Sequence, residues 1–152
     1  MGIIYLLAPF ANNALKRLAK TPKLYFLDCA LAANLSMWPS AGTIMNGPAS
    51  GHYFENFVVT ELVKNYAYSR NKVALSYYRD QNTKEIDLII EESCFIHPFE
   101  IKKSANPDRR EINKFDVLDK TSLERSTGGV ICMMQEVVPI DNMNTFIPCN
   151  LI

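Results

Sequence analysis

Asp87, Glu100 and Lys102 fall in two neighbouring stretches that alternate apolar and polar residues, EIDLIIE (85–91) and FIHPFEIK (95–102). Side chains alternate across a strand, so Phe99 and Ile101 face one side of the later stretch and Glu100 and Lys102 the other. By the same rule Ile86, Leu88 and Ile90 share one face of the earlier stretch, and Asp87 shares the opposite face with Ile89. If the two strands are neighbours, Asp87 and Glu100 converge. With the backbone carbonyl of Ile101 they make an all-oxygen site of the hard type that Mg²⁺ or Mn²⁺ prefers. That geometry suits phosphodiester hydrolysis, in which the metal lowers the pKa of a bound water and offsets the charge developing on the phosphate. Lys102 would orient the water or neutralise phosphoryl oxygens, and Glu55 would reach the metal through water. The competing reading is a set of solvated strand-edge charges, because a [DE]xK triplet is expected about once by chance in a chain of this composition.

The elements that must position these residues are legible in part. Phe54, Val58, Leu62 and Tyr66 recur at helical spacing, with Phe57 and Val63 widening the stripe, and predict a helix over 53–68 that carries Glu55 on its flank. VALSYYR (73–79) reads as a strand, DQNTK (80–84) as a turn and EIDLIIE as the returning strand of a hairpin. The strand over 95–102 contains His97-Pro98, which points to an edge or a bulge there, or marks where pairing stops. Asn106 is a candidate N-cap before Pro107, and the helix that follows to about Lys120 buries Ile112, Phe115 and Leu118. VICMM (130–134) supplies a fourth strand. Upstream, NALKRLAK (13–20) is a short basic stretch, YFLDCALAANL (25–35) runs from strand or turn into a short helix capped by Asp28, and WPSAGTIMNGPASG (38–51) has the charge-free, Pro- and Gly-bearing composition of a mobile connection. The order predicts an α/β sandwich with a mixed sheet, divided into a connecting segment (1–50) and a core (51–152).

Composition narrows the function classes. The chain has 152 residues, 48% hydrophobic and 21% charged, with 16 basic and 16 acidic residues and a formal net charge of zero. It has the bulk to bury a core, and no apolar run approaches the roughly 20 residues that span a bilayer. The N-terminal stretch lacks the basic region of a signal peptide. Cys29, Cys94, Cys132 and Cys149 form no CxxC pair, and they read as buried free thiols of a cytoplasmic protein. His52 and His97 are too few for a zinc site. Neutral charge removes the simplest argument for nucleic-acid binding, and the acidic residues around Arg109, Arg110 and Lys114 describe a solvated helix face rather than a phosphate-binding one.

Four ordered segments, KTPKLYFLDCALAANL (20–35), GHYFENFVVTELVKN (51–65), SYYRDQNTKEIDLII (76–90) and FEIKKS (99–104), resemble the C-terminal domain of a large group of prokaryotic AAA+ ATPases. That domain, of unknown function, is regarded as related to the PD-(D/E)xK nucleases. The resemblance implies a restriction-endonuclease-like three-layer sandwich, a central mixed β-sheet flanked by helices. It also implies Glu55 on the first core helix, Asp87 and Glu100 with the Ile101 carbonyl at a Mg²⁺ or Mn²⁺ ion, and Glu100-Ile101-Lys102 as the (D/E)xK element. A nucleic-acid substrate and an AAA+ ATPase partner follow from the same resemblance. The ATPase half is missing from these residues, since no GxxxxGK[ST] loop is present. Two readings follow: a Mg²⁺-dependent nuclease-like domain, or a catalytically silent module of the same fold that binds nucleic acid or assembles with a partner. The apolar residues Tyr5, Leu6, Leu7, Pro9 and Phe10 add an expectation of self-association as a homo-oligomer.

Overall fold

A computed structural model describes residues 2–10, 21–69, 72–80 and 84–152. The basic stretch 13–20 and the centre of the 80–84 turn lie outside them.

Among the described residues nine strands join in one mixed sheet: β1 (Ile4–Pro9), β2 (Lys23–Phe26), β3 (Ala74–Arg79), β4 (Glu85–Glu92), β5 (Phe95–Lys102), β6 (Glu124–Arg125), β7 (Gly128–Cys132), β8 (Val138–Pro139) and β9 (Asn144–Pro148). Their order is β2-β1-β3-β4-β5-β7-β9-β8, with β6 pairing the start of β5. The β3-β4-β5 meander is antiparallel, as the alternation predicts. β5, β7 and β9 run parallel, and the connection between β5 and β7 crosses one face as a 3-10 helical segment, Arg109–Lys120.

Helix α1 (Cys29–Leu35) begins at Asp28, whose carboxylate accepts from the N–H groups of Ala30 and Leu31, the expected cap. Residues 38–51, read as a mobile connection, instead contain a second helix, α2 (Ala41–Asn46). Its capping box closes on Ser40 and Thr43: Ser40 Oγ accepts from Thr43 N–H, and Thr43 Oγ1 from Ser40 N–H. The long helix α3 (Ser50–Ser69) buries Phe54, Val58 and Val59 against Leu7, Tyr25, Tyr77, Leu88, Ile90, Ile101 and Ile131 of the sheet. Phe57, expected in that stripe, is 41% exposed and lines an apolar hollow with Trp38 and Ile44.

The opposite face packs on the 3-10 segment. Ile112, Phe115 and Leu118 recur every three residues, the period at which a 3-10 helix stacks side chains in one row, and they meet Phe10, Ile86, Ile89 and Ile96. The segment starts from Asp108, whose carboxylate accepts from Arg110 N–H, two residues beyond the expected Asn106 cap. Phe115→Ala should cost about 3–5 kcal/mol in urea unfolding, because a ring that is 1% exposed leaves a void between rigid strands.

Two sequence expectations need correction. Ile86 does not share a face with Leu88 and Ile90: it joins Ile89 in the cluster under the 3-10 segment. The cause is a bulge, since Ser76 pairs with Ile89 while Tyr78 pairs with Ile86, so β4 holds one residue more than β3 across this interval. Pro98 lies in interior strand β5 rather than at an edge, and it marks where pairing stops on one side, the other expectation for His97-Pro98. It is tolerated because β6 stops pairing at Ile96 and β7 begins at Phe99, which places the missing N–H at a break between partners.

The free edges end differently. At β2, the Asn56 side chain accepts from Phe26 N–H (2.8 Å) and donates to Phe26 C=O (2.8 Å). At β8, two residues ending in Pro139 close the sheet. Of the apolar N-terminal residues, Leu7 and Phe10 are spent in the core, while Ile4 and Leu6 stay exposed beside Leu24. The cysteines are all free, but only Cys132 is buried; Cys94 is exposed. Among the described residues no helix is long and apolar enough to cross a membrane.

Candidate metal centre

The strand pairing sets the predicted carboxylates at neighbouring positions of β4 and β5, although Glu100 is buried outside the cleft that Asp87 lines. β4 and β5 are antiparallel neighbours whose last pair is Leu88 with Phe99, so the next positions along each strand are Asp87 and Glu100. The bulge in β4 falls at this point and re-aims Asp87. Its Oδ2 accepts a hydrogen bond from Ile101 N–H (2.9 Å). The Ile101 carbonyl lies on the same edge of β5, past the last β4 pair, because N–H and C=O of one strand residue point the same way.

Glu100 is fully buried on the opposite face from Ile101, as alternation requires. Its Oε2 is approached by Lys114 Nζ at 2.6 Å and Lys102 Nζ at 3.3 Å, charge contacts that lack hydrogen-bond alignment. Among the described residues Oε1 has no hydrogen-bond partner. Burial, then the neighbouring Asp87 carboxylate, push the Glu100 pKa up to about 8 against the pull of Lys114 and Lys102. Asp87 is raised for related reasons, first burial and then Glu55, opposed by the Ile101 N–H and by Lys23 and Lys102. Lys102 also pairs with Glu111 at 3.5 Å, and although burial opposes its charge, Glu100, Asp87 and Glu111 hold its pKa above the usual lysine value.

Glu55, carried on α3, is engaged with other groups. Its Oε1 accepts from Tyr25 Oη (2.6 Å) and from Lys23 Nζ (2.9 Å). The Lys23 ammonium also touches Glu85 at 2.5 Å and lies 3.9 Å from Asp87. Burial lowers the Lys23 pKa, but Glu85, Glu55 and Asp87 together leave it raised. Burial and the Glu55 charge drive the Tyr25 hydroxyl upward, so it stays a donor.

Glu55, Asp87, Ile101 and Lys102 therefore line one cleft of about 380 Å³, walled by the 48–52 turn into α3 and by Lys103. Lys103 points away from Glu100 and donates to the Met45 carbonyl, tying α2 to the end of β5. A second cleft of about 510 Å³ shares His52 and Glu55 with the first and contains Lys23, Tyr25, Arg79 and Glu85.

The donor set suits a hard divalent cation that keeps much of its water. Glu100 Oε1 is a buried oxygen without a hydrogen-bond partner, the Asp87 carboxylate is near enough to raise the Glu100 pKa, and Asp87 shares its cleft with Ile101. Among the described residues no group of three or more His, Cys, Asp and Glu side chains is arranged to hold a metal. One or two carboxylates with water is the ligand count that Mg²⁺ usually takes from protein.

Sequence reasoning missed Lys23, Tyr25 and Lys114. Lys23 and Tyr25 are two apart on a strand and so share a face, a signal that was present. Lys114 was assigned to a solvated face, whereas it reaches Glu100.

Residues 1–42 match a family described as Domain of unknown function (DUF8612), and residues 50–152 one described as Domain of unknown function (DUF4143). Uncharacterized proteins of Mycobacterium tuberculosis and Mycobacterium bovis are each 30% identical over 105 residues, 69% of this chain and 23% of theirs. The chain thus spans about a quarter of the length of these curated relatives. No solved structure matches it. With the matched region covering the helix of Glu55, the Asp87 bulge and the Glu100 strand, the chain belongs to the DUF4143 family.

Proposed function

We propose that the domain binds one hard divalent cation, Mg²⁺ or Mn²⁺, at Asp87, Glu100 and the Ile101 carbonyl, and cleaves phosphodiester bonds of nucleic acid in a restriction-endonuclease-like, PD-(D/E)xK arrangement. The observation that carries this reading is Glu100: a fully buried carboxylate near Asp87 that, although Lys114 and Lys102 lie beside its Oε2, leaves Oε1 without a hydrogen-bond partner, a desolvated oxygen that a divalent cation would satisfy. When bound, the ion would acidify a water and offset charge on the phosphate. Ile101 N–H fixes the Asp87 carboxylate, and Lys102, paired with Glu100 and Glu111 at the cleft wall, would meet a phosphoryl oxygen. Glu55 holds Lys23 rather than a water-filled position. An AAA+ ATPase partner is part of the proposal. It rests on the motif resemblance, and the unmatched length of the mycobacterial relatives leaves room for such a domain in them.

A second reading, a silent assembly or nucleic-acid-binding module, is favoured by the lysines: Lys114 and Lys102 at Glu100, and Lys23 among Glu55, Glu85 and Asp87, already supply cationic charge. Calorimetric titration with Mn²⁺ separates the two. Under the nuclease reading the wild type gives an isotherm, Asp87→Ala and Glu100→Ala each weaken it at least about 10-fold, and Lys102→Ala keeps the isotherm but loses oligonucleotide cleavage. No heat in the wild type, with or without an oligonucleotide, establishes the silent module.

A further inference from the structure

The nuclease reading gives Lys23 no task, yet its ammonium lies within 4 Å of three carboxylates. Its Nζ stands 2.5 Å from Glu85 Oε1, 2.9 Å from Glu55 Oε1 and 3.9 Å from Asp87 Oδ1, and 5.3 Å from the centre of the Tyr77 ring. We infer that the Lys23 ammonium is a built-in cation occupying the outer half of the acidic cluster, so that the site takes one divalent ion, at its Asp87–Glu100 end, and not two. The inference rests on the cation reading of that end.

Position carries the argument. Paired metal ions in phosphodiester-cleaving sites stand about 4 Å apart and share a carboxylate. The carboxylate that faces both halves here is Asp87, whose Oδ2 is turned to Ile101 and whose Oδ1 faces Lys23. An ion sharing Asp87 and drawing on Glu55 or Glu85 would need the space that Nζ fills. The ammonium is well held there: it lies 2.5 Å from Glu85 and donates to Glu55, with Asp87 at 3.9 Å, and Tyr25, two residues along on the same strand face, donates to the same Glu55 oxygen. Arg79 shares Glu85 with it at 2.6 Å. The outer carboxylates are therefore compensated from within, whereas at Glu100, despite Lys114 and Lys102 beside Oε2, Oε1 lacks a hydrogen-bond partner.

The test is Mn²⁺ stoichiometry, by calorimetry and by the electron paramagnetic resonance of free Mn²⁺, on the wild type, Lys23→Ala and Lys23→Arg. One ion in the wild type, two in Lys23→Ala and one in Lys23→Arg is the expected result. One ion in all three overturns the inference and leaves the Asp87–Glu100 site standing; two ions in the wild type also overturn it. No ion in the wild type but one in Lys23→Ala supports Lys23 as the occupant and overturns the Asp87–Glu100 reading. No ion in any chain overturns both. Lys23→Ala leaves three carboxylates facing one another, so circular dichroism is followed with and without Mn²⁺. Folding only with Mn²⁺ counts as the second position filled; no folding in either condition, with one ion in Lys23→Gln, overturns the inference.

Discussion

Glu100→Gln should make the metal-free protein more stable at alkaline pH and, if the proposed cation site is correct, abolish Mn²⁺ binding. In the wild type the buried carboxyl titrates near 8 in the folded chain, against the ordinary glutamate value near 4.5 when unfolded. The folded state therefore holds the proton more tightly. Its contribution is complete below about pH 4.5 and is lost as pH rises through about 8. The loss is on the order of a few kcal/mol, because the side chain is wholly buried and a pKa difference of this size is worth that much. Glutamine carries no proton to lose, so urea unfolding across pH 5–9 should show a falling stability in the wild type and a much flatter profile in the variant. A cation at Asp87 and Glu100 favours the deprotonated form, so saturating Mn²⁺ should flatten the wild-type profile as well. Identical profiles for the wild type and variant would exclude a desolvated Glu100.

Gly129→Ala should cost about 3 kcal/mol or more and unfold a marginally stable chain. A Cβ at Gly129 would stand 1.9 Å from the Thr145 carbonyl oxygen and 2.9 Å from its carbon, both backbone atoms of the neighbouring strand β9. No rotamer change relieves a clash with main chain, so β7 and β9 must separate. Because β7 also pairs with β5, the displacement reaches Ile101 and Lys102. Gly51→Ala is the control. It lies in the first turn of α3 with open space around the added methyl, and it should raise stability by about 0.5–1 kcal/mol through helix propensity. Thermal and urea unfolding of the two alanine variants against the wild type read both effects.

Much of the core was legible where one strand or helix face decides a residue's surroundings. The alternation in β5 placed Phe99 and Ile101 toward α3 and Glu100 away from it, and Asp28 announced its own helix. Features that depend on a partner distant in sequence were not legible. The bulge that turns Asp87 is a mismatch between β3 and β4, and neither strand shows it alone. Lys23 meets Glu55 across 32 positions. Helix α2 was hidden by its composition, because Ser40 with Thr43 closes the cap where a carboxylate or amide is the usual third-position signal.

The clamp that Asn56 places on Phe26 has a consequence for what the protein can become. An open sheet is a template, and a row of free N–H and C=O groups invites the next strand from any chain that can supply one. Here one amide, delivered from a helix rather than a strand, makes a single rung of the missing ladder. A visiting strand would have to displace it, and at the far edge it would meet Pro139, which has no N–H to offer. Each outer edge of the described sheet thus carries its own stop against a further strand.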